Sequence, residues 1–137
     1  MRFHTFPKKE HLKSRKHIQA LFHSGKAFSV FPFKVCYQIV GRSPKPAVRV
    51  GFSVPLRNFK KATDRNRIKR QMREVYRLGK ADLADFVLEQ HLQVNVFFIY
   101  LGRQMPDYAF LSRKMGVSLK QLGQALEQAG EKDENDQ

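Results

Sequence analysis

The sequence predicts an α+β sandwich in which helices pack on one β-sheet. Apolar residues alternate at every second position in residues 27–40 and 47–54, which is typical of half-buried strands. They recur every three to four residues in residues 64–77 and 107–129, which is typical of amphipathic helices. The resulting order of helix, strands, helix, strand and helix fits within a single domain, residues 1–129.

The first helix is predicted to begin after Ser14 and to end at Gly25. Ser14 is a favourable N-cap because its hydroxyl can accept a hydrogen bond from a free backbone N–H of the first turn. Glycine commonly follows the last helical residue. Ile18, Leu21 and Phe22 recur at helical spacing and form the apolar face of this helix.

Residues 27–40 predict a pair of strands or one interrupted strand, because Pro32 cannot donate a hydrogen bond to a neighbouring strand. Alternation assigns one face to Phe31, Phe33, Val35, Tyr37 and Ile39. The other face carries Lys34, Cys36 and Gln38. In residues 47–54 the inward side chains are Val48, Val50, Phe52 and Val54. Residues 92–101 are the most strand-like run and are predicted to lie at the centre of the sheet.

Residues 64–77 predict a helix that buries one side and exposes a row of cations. Asp64 is its predicted N-cap. The buried stripe is Ile68, Met72 and Val75. Beside the stripe lie Asn66, Lys69, Arg70, Arg73 and Arg77. Like charges that repeat four residues apart destabilise a helix unless an anion binds there, and arginine binds phosphate through two parallel hydrogen bonds. This face is therefore predicted to bind phosphate.

The last third of the chain predicts two more helices around the central strand. Residues 81–91 have inward side chains at Leu83, Phe86 and Val87. Residues 107–129 place Leu111, Met115, Leu119, Leu122 and Leu126 roughly on one face. Both chain ends are predicted to be irregular. Residues 1–13 are basic, with Phe3 and Phe6 as anchoring side chains, and residues 130–137 form an acidic, disordered tail without apolar residues.

The positive charge is concentrated in the first part of the chain. The whole chain has a net charge of +14. Residues 1–80 hold 21 cations and three acids, a net charge of +18, whereas residues 81–137 hold five cations and nine acids, a net charge of −4. Such a segment repels itself without a polyanion, so nucleic acid is the leading predicted partner and an anionic membrane surface is the alternative. No apolar run reaches spanning length, and the amino terminus does not have the pattern of a secretory signal. The single Cys36 excludes an internal disulfide and fits a reducing cytoplasm.

Three motifs in order resemble the protein subunit of bacterial ribonuclease P. The most specific is the arginine helix, with Arg65, Asn66, Arg67, Lys69, Arg70, Arg73 and Glu74 at the family's spacing. It follows a strand with Arg49, Gly51, Phe52, Ser53 and Val54. The opening helix matches at residues 12–15 and 22–25. The resemblance covers about residues 9–101.

The resemblance implies a ferredoxin-like αβββαβα fold with a left-handed β-α-β crossover. It also implies that the arginine helix faces the catalytic RNA, and that the sheet and first helix form a cleft for the single-stranded 5′ leader of precursor tRNA. The predicted RNA-binding residues are Arg15, Arg57, Lys60, Lys61, Arg65, Asn66, Arg67, Lys69, Arg70 and Arg73. The predicted leader-cleft residues are Phe22, Tyr37 and Lys34. An aromatic residue that the family places on the cleft strand falls at Cys36 when counted from Gly25, and at Tyr37 after a shift of one residue.

We predict neither catalytic residues nor a metal site in this chain. Residues 1–80 hold only Glu10, Asp64 and Glu74 as acids, and a nuclease needs an acid–base pair or carboxylates that hold metals. We therefore predict that this chain binds RNA and that the RNA partner cleaves the substrate. Mg²⁺ is expected to be required by the RNA, and no cofactor is expected to be held by the protein. The predicted partners are the catalytic RNA and precursor tRNA, without a membrane or an obligate protein partner.

Two other function classes stay open at this stage. One is a ribosomal-type or architectural RNA-binding protein without associated cleavage. The other is a self-sufficient nuclease with a histidine centre drawn from His4, His11, His17, His23 and His91.

Overall fold

The computed structural model describes residues 6–135. These residues contain four α-helices and four strands. Side chains are described for residues 6–129. In chain order the elements are α1 (Arg15–Ser24), β1 (Lys26–Val30), β2 (Phe33–Arg42), β3 (Ala47–Ser53), α2 (Ala62–Gly79), α3 (Ala81–Gln90), β4 (Leu92–Tyr100) and α4 (Tyr108–Asn135). A short 3-10 helix, Lys8–Glu10, precedes α1. The predicted α+β fold is confirmed.

The four strands form one sheet in the order β1-β2-β4-β3. The β1–β2 and β2–β4 pairs are antiparallel, and the β3–β4 pair is parallel. Because parallel neighbours need a crossover connection, α2 and α3 together span the chain from β3 to β4. The run predicted to be central is indeed central, since β4 lies between β2 and β3.

The back face of the sheet carries the main hydrophobic core. We call back face the side that α2, α3 and α4 cover. From the sheet it receives Phe33, Val35, Val48, Val50, Val94, Val96, Phe98 and Tyr100, and from the helices Ile68, Met72, Val75, Tyr76, Leu83, Val87, Leu111, Met115, Leu119, Leu122 and Leu126. The inward stripes predicted for the helices of this face are therefore confirmed, with Phe86 only partly buried.

The front face, on the opposite side of the sheet, is covered by α1 alone among the helices. A separate small cluster holds α1 there and consists of Leu12, Leu21, Cys36 and Phe97. Gly51 on β3 allows this packing, because a Cβ at that position would lie 2.7 Å from the ring of Phe97. As predicted, α1 begins after Ser14, whose Oγ accepts a hydrogen bond from the backbone N–H of His17 at 3.4 Å.

The segment before α1 is anchored along the outer edge of β3. The backbone N–H of Leu12 donates to the carbonyl oxygen of Val50 at 2.9 Å. The predicted anchor Phe6 packs against Tyr76 with ring centroids 5.3 Å apart. Nζ of the buried Lys80 lies 2.9 Å from Oε2 of Glu10. These contacts cover an edge strand that would otherwise expose unpaired backbone groups. Phe3 lies outside the described residues.

Three local predictions differ from the structure. The first α2 residue is Ala62 with Lys61 as N-cap, so Asp64 lies in the first turn, where the helix dipole favours a carboxylate. Phe31 belongs to the turn between β1 and β2 and is 63% exposed, because the strands pair only up to Val30 and Phe33. The last helix continues to Asn135, where disorder was predicted from residue 130. Extending a formed helix orders one residue for each new hydrogen bond, and Glu, Gln and Lys are good helix formers.

Candidate nucleic-acid interface

The outer side of α2 presents a row of unneutralised arginines. Arg67, Arg70 and Arg73 are exposed, while Ile68 and Met72 beside them are fully buried. Within residues 6–129 none of the three arginines has an intramolecular hydrogen bond or ion pair. Asn66 and Lys69 extend this surface, Asn66 exposed and Lys69 partly buried. We call these five residues the arginine row.

Glu74, one of the two acids of α2, does not neutralise the arginine row. Both carboxylate oxygens of Glu74 accept hydrogen bonds from Arg77, Oε1 from Nη2 at 2.6 Å and Oε2 from Nε at 3.2 Å. This hydrogen bonding holds the pKa of Glu74 below its usual range. Arg77 was predicted to lie beside the buried stripe with the other cations, and in the structure its guanidinium pairs with Glu74. The arginine row thus keeps its charge for an external anion.

Arg65 has a different role from the other cations of the motif. Its Nη1 donates to the carbonyl oxygens of Phe59 at 2.7 Å and Lys60 at 2.9 Å. Because Lys61 makes no side-chain capping hydrogen bond, these two bonds fix the path of the chain into α2. They also position the β3–α2 connection, whose predicted RNA-binding residues Arg57, Lys60 and Lys61 are all exposed. Arg65 is a positioning residue for this basic connection.

A cleft lies on the front face between α1 and the sheet. Its cavity volume is about 240 Å³. The lining includes His17 and Ala20 from α1, Gln38 and Val40 from β2, Ala47 and Arg49 from β3, and Gln93 and Asn95 from β4. The amides and the guanidinium can donate to and accept from base edges and phosphates. None of these residues was among the predicted site residues. Asn95 carries a signal in the sequence, because it is a polar residue between Val94 and Val96 in an apolar strand.

Phe22 is the aromatic residue that α1 offers on the front face. It is half exposed, at 50%, and its ring meets the ring of Phe97 edge-on with centroids 5.3 Å apart. Lys34 is exposed on the same face. It lies two residues before Cys36 on β2, so both side chains point to the same side of the sheet, and Cys36 belongs to the front cluster. The structure therefore brings these two predicted leader-cleft residues to one side of the sheet.

Tyr37, a predicted leader-cleft residue, lies on the other side of the sheet and does not share a face with Phe22 and Lys34. Its ring centroid is 6.0 Å from that of Phe28, and both side chains pack against the main core. Burial raises the pKa of the Tyr37 phenol. The residue that faces α1 is Cys36, as the count from Gly25 indicated. Burial also raises the pKa of the Cys36 thiol, against a smaller opposing effect of Lys34.

The remaining predicted residues do not form a chemical centre. Arg15 is exposed in the first turn of α1. His17 and His23 lie on α1, His11 pairs with Val50 before α1, and His91 follows α3. His4 falls outside the described residues. In the described part of the chain, no three His, Cys, Asp or Glu side chains come together as a metal site would require. None of its helices is both long enough and apolar enough to cross a membrane.

Proteins of one family are similar to this chain. The family model described as Ribonuclease P matches residues 6–123. A ribonuclease P protein component of Porphyromonas gingivalis is 35% identical over 112 residues, which cover 82% of each chain. One from Chlorobium phaeobacteroides is 36% identical over 118 residues and covers 79% of this chain and 81% of its own.

Solved structures of such proteins have the same fold. The RNase P protein from Thermotoga maritima superposes with a TM-score of 0.63 at 23% identity, covering 82% of this chain and 96% of that chain. The Staphylococcus aureus RNase P protein gives a TM-score of 0.62 at 20% identity, covering 81% of this chain and 93% of that chain.

Proposed function

The chain belongs to the ribonuclease P protein family, and from this membership we propose that it is the protein subunit of a ribonuclease P that removes the 5′ leader from precursor tRNA. In this proposal it binds two RNAs at once. One is the catalytic RNA subunit, and the other is the single-stranded leader of the substrate. The two surfaces lie on different sides of the molecule, which allows both RNAs to bind together.

The arginine row is the single observation that carries the proposal. Arg67, Arg70 and Arg73 repeat along one exposed helix face without an acid to neutralise them. Such repetition lowers the stability of a free helix, and a phosphate backbone removes that cost by supplying the missing counter-charge. The β3–α2 connection, held by Arg65, extends the same surface with three further cations. We assign this surface to the catalytic RNA.

The front face supports the second half of the proposal. Proteins that bind single-stranded RNA combine a cationic groove with an aromatic surface on which bases stack. The cleft supplies Arg49 as a cation and the amides of Gln38 and Asn95 as hydrogen-bonding groups. Beyond its lining, the same face adds Phe22 as the ring and Lys34 as a second cation. We assign this cleft to the leader of precursor tRNA.

We further propose that the chemistry of cleavage belongs to the RNA subunit and its Mg²⁺ ions. The substrate and the RNA subunit are both polyanions and repel one another. A protein that carries +18 on residues 1–80 lowers this repulsion and holds the substrate leader beside the RNA.

Reconstitution tests this function directly. Cleavage of precursor tRNA is measured at low Mg²⁺ with the protein alone, with the ribonuclease P RNA of the same genome alone, and with both. We expect efficient cleavage only with both. Cleavage by the protein alone would establish a self-sufficient nuclease, and tight RNA binding that never stimulates cleavage would establish an architectural RNA-binding protein.

A second measurement tests the RNA-binding surface. If about six to eight cations contact phosphates, the logarithm of the association constant should fall with the logarithm of salt concentration with a slope of about −5 to −7. The double variant Arg67→Ala/Arg73→Ala should make that slope less negative by about two, because two phosphate contacts are lost. The matched control Lys45→Ala/Lys120→Ala removes the same charge from exposed positions elsewhere and should change it little. Equal changes in both variants would show a nonspecific charge effect and contradict the assignment.

A further inference from the structure

A second exposed aromatic and cationic surface lies at one end of the sheet. It surrounds a recess of about 560 Å³ between the β1–β2 turn and residues 101–107, which join β4 to α4. Phe31 and Met105 are 63% and 39% exposed there, and Phe110 is partly buried. We call the set Phe31, Met105, Phe110, Arg103, Arg113 and Lys114 the sheet-end platform.

The recess is held by hydrogen bonds on both sides. The backbone N–H of Leu101 donates to the carbonyl oxygen of Pro32 at 2.6 Å, which ties the β4–α4 connection to the turn that carries Phe31. The hydroxyl of Tyr100 donates to the carbonyl oxygen of Gln104 at 2.8 Å and closes the connection on itself. Gly102 permits this, because a Cβ at that position would collide with the Tyr100 ring. The platform is thus formed before any partner binds.

The charge of the platform runs against the charge of its region. Residues 81–137 have a net charge of −4 and only five cations, yet three of the five are Arg103, Arg113 and Lys114. Cζ of Arg113 lies 5.7 Å from the centroid of the Phe110 ring, and Nζ of Lys114 lies 5.8 Å from it. The acid nearest in the chain is Asp107, whose Oδ2 accepts a hydrogen bond from the backbone N–H of Phe110 at 3.2 Å. Rings and cations are therefore gathered at one place in an otherwise acidic part of the chain.

The platform adjoins the surface assigned to the catalytic RNA. The carboxyl ends of β3 and β4 meet at the same end of the sheet because the two strands are parallel. β3 leads there into the basic β3–α2 connection, and β4 leads into the platform. Phe59 of that connection packs against Tyr100 with ring centroids 6.0 Å apart. The two connections, each of which carries exposed cations, therefore lie beside one another at this end of the sheet.

We propose that the sheet-end platform holds an unpaired nucleotide of the catalytic RNA, with its base against Phe31 and its phosphates on Arg103 and Arg113. The proposal rests on the proposed function, since it extends the RNA-subunit surface by one site. Base stacking on an exposed ring beside cations is the chemistry of single-strand recognition, and the three cations of the platform can each contact a phosphate. The substrate leader has its own place on the front face under α1.

The test compares affinities for the RNA subunit, measured without substrate. Phe31→Ala should weaken binding by about five- to tenfold, because stacking of one base is lost. Phe31→Tyr keeps the ring and should bind like wild type. The control Leu88→Ala removes an equally exposed apolar side chain (60%) from α3, near the opposite end of the sheet, and should have no effect. Thermal melts of all three variants should match wild type, since the altered side chains are exposed.

A cross-linking experiment identifies the occupant. A photoreactive phenylalanine derivative in place of Phe31 should cross-link to an unpaired nucleotide of the RNA subunit in the reconstituted holoenzyme. Cross-links to precursor tRNA alone, or self-association of the protein that Phe31→Ala abolishes, would overturn the proposal. So would unchanged RNA affinity of Phe31→Ala while Arg67→Ala/Arg73→Ala weakens binding, a result that leaves the proposed function standing. If neither variant changes RNA binding, the proposed function itself fails.

Discussion

The two faces of the sheet are covered to very different depths. The back face lies under three helices and contains nearly all of the large, fully buried side chains, including Phe33, Phe98 and Met72. The front face lies under α1, a ten-residue helix that buries only Leu21 completely. The same strands supply both faces, so adjacent residues such as Phe97 and Phe98 enter quite different environments.

The difference shows how a small protein can be stable while one face of its sheet stays largely open. Burial on one face supplies the free energy of folding, so the other face need not be filled. The front face can then keep polar groups such as Gln38 and Arg49 beside a half-exposed ring, Phe22. The helices differ likewise, since α2 is fixed by four buried residues and presents its arginines from a rigid support.

The largest expected effect comes from the pair of adjacent phenylalanines on β4. Phe98→Ala should lower the free energy of unfolding by about 3–5 kcal/mol, because it leaves a closed cavity among Phe33, Phe52 and Tyr76. Phe97→Ala should cost at least about 1 kcal/mol less, because the front cluster is small and solvent can reach the space. Urea denaturation of both variants measures the difference. Equal losses would show that the front face contributes as much to stability as the back.

Arg65 and Arg67 should differ in stability although they belong to one motif. Arg65→Ala removes two hydrogen bonds from a charged donor to backbone carbonyls, and it should cost about 1–2 kcal/mol at this partly exposed site. Arg67→Ala alters an exposed side chain and should change stability by less than about 0.5 kcal/mol. Both should weaken RNA binding. Thermal melts beside binding isotherms separate the two effects, and an unchanged melt for Arg65→Ala would contradict its positioning role.

Phe22→Ala should act on the leader and leave the fold intact. Loss of one stacking ring should weaken precursor tRNA binding to the holoenzyme by about tenfold, without changing binding of mature tRNA, which has no leader. Tyr37→Leu is the control, since it removes a ring from the back face while keeping apolar volume, and it should leave precursor affinity unchanged. If Tyr37→Leu weakens precursor binding and Phe22→Ala does not, the assignment of the cleft to the front face is wrong.

The smallest expected effect concerns Glu74. Since its pairing with Arg77 lowers the folded pKa, the pair stabilises the fold above the unfolded pKa of about 4.3 and loses this contribution as the pH falls through the folded value. Glu74→Gln should therefore melt slightly below wild type at neutral pH, and the gap should close in acid. Its RNA affinity should rise slightly, because the helix loses a negative charge. A gap that persists at pH values near 3 would show that charge is not its cause.

The buried and exposed sides of the arginine helix could be predicted from the sequence, because they depend only on the spacing of residues within the helix. The spacing of Ile68, Met72 and Val75 sets the buried side, and the cations between them are then exposed wherever the helix packs. The roles of the charged residues outside the arginine row could not be predicted from spacing. That Arg65 holds the carbonyls of Phe59 and Lys60, and that Glu74 pairs with Arg77, depends on side-chain geometry that spacing does not specify.

The sequence also predicted which side chains of β2 share a face, but it did not predict which of the two faces lies under α1. The sequence separated Cys36 from Tyr37 onto opposite faces, yet which face lies under α1 depends on how the helix packs on the sheet. The same limit applied to Asn95, Gln38 and Arg49, which come from three strands and meet only because β4 pairs with both neighbours.

The sequence by itself determined the class of fold, the order of the elements, the buried stripes and the concentration of positive charge that points to RNA. Each of these depends on residues close together in the chain, where helix and strand periodicities act. The tertiary structure alone decided the front cleft, the packing of Tyr37 against the main core and the placement of Phe31, Arg103 and Phe110 around one recess. Those depend on strand order and helix packing, which join residues up to about 80 positions apart through contacts that no local pattern encodes.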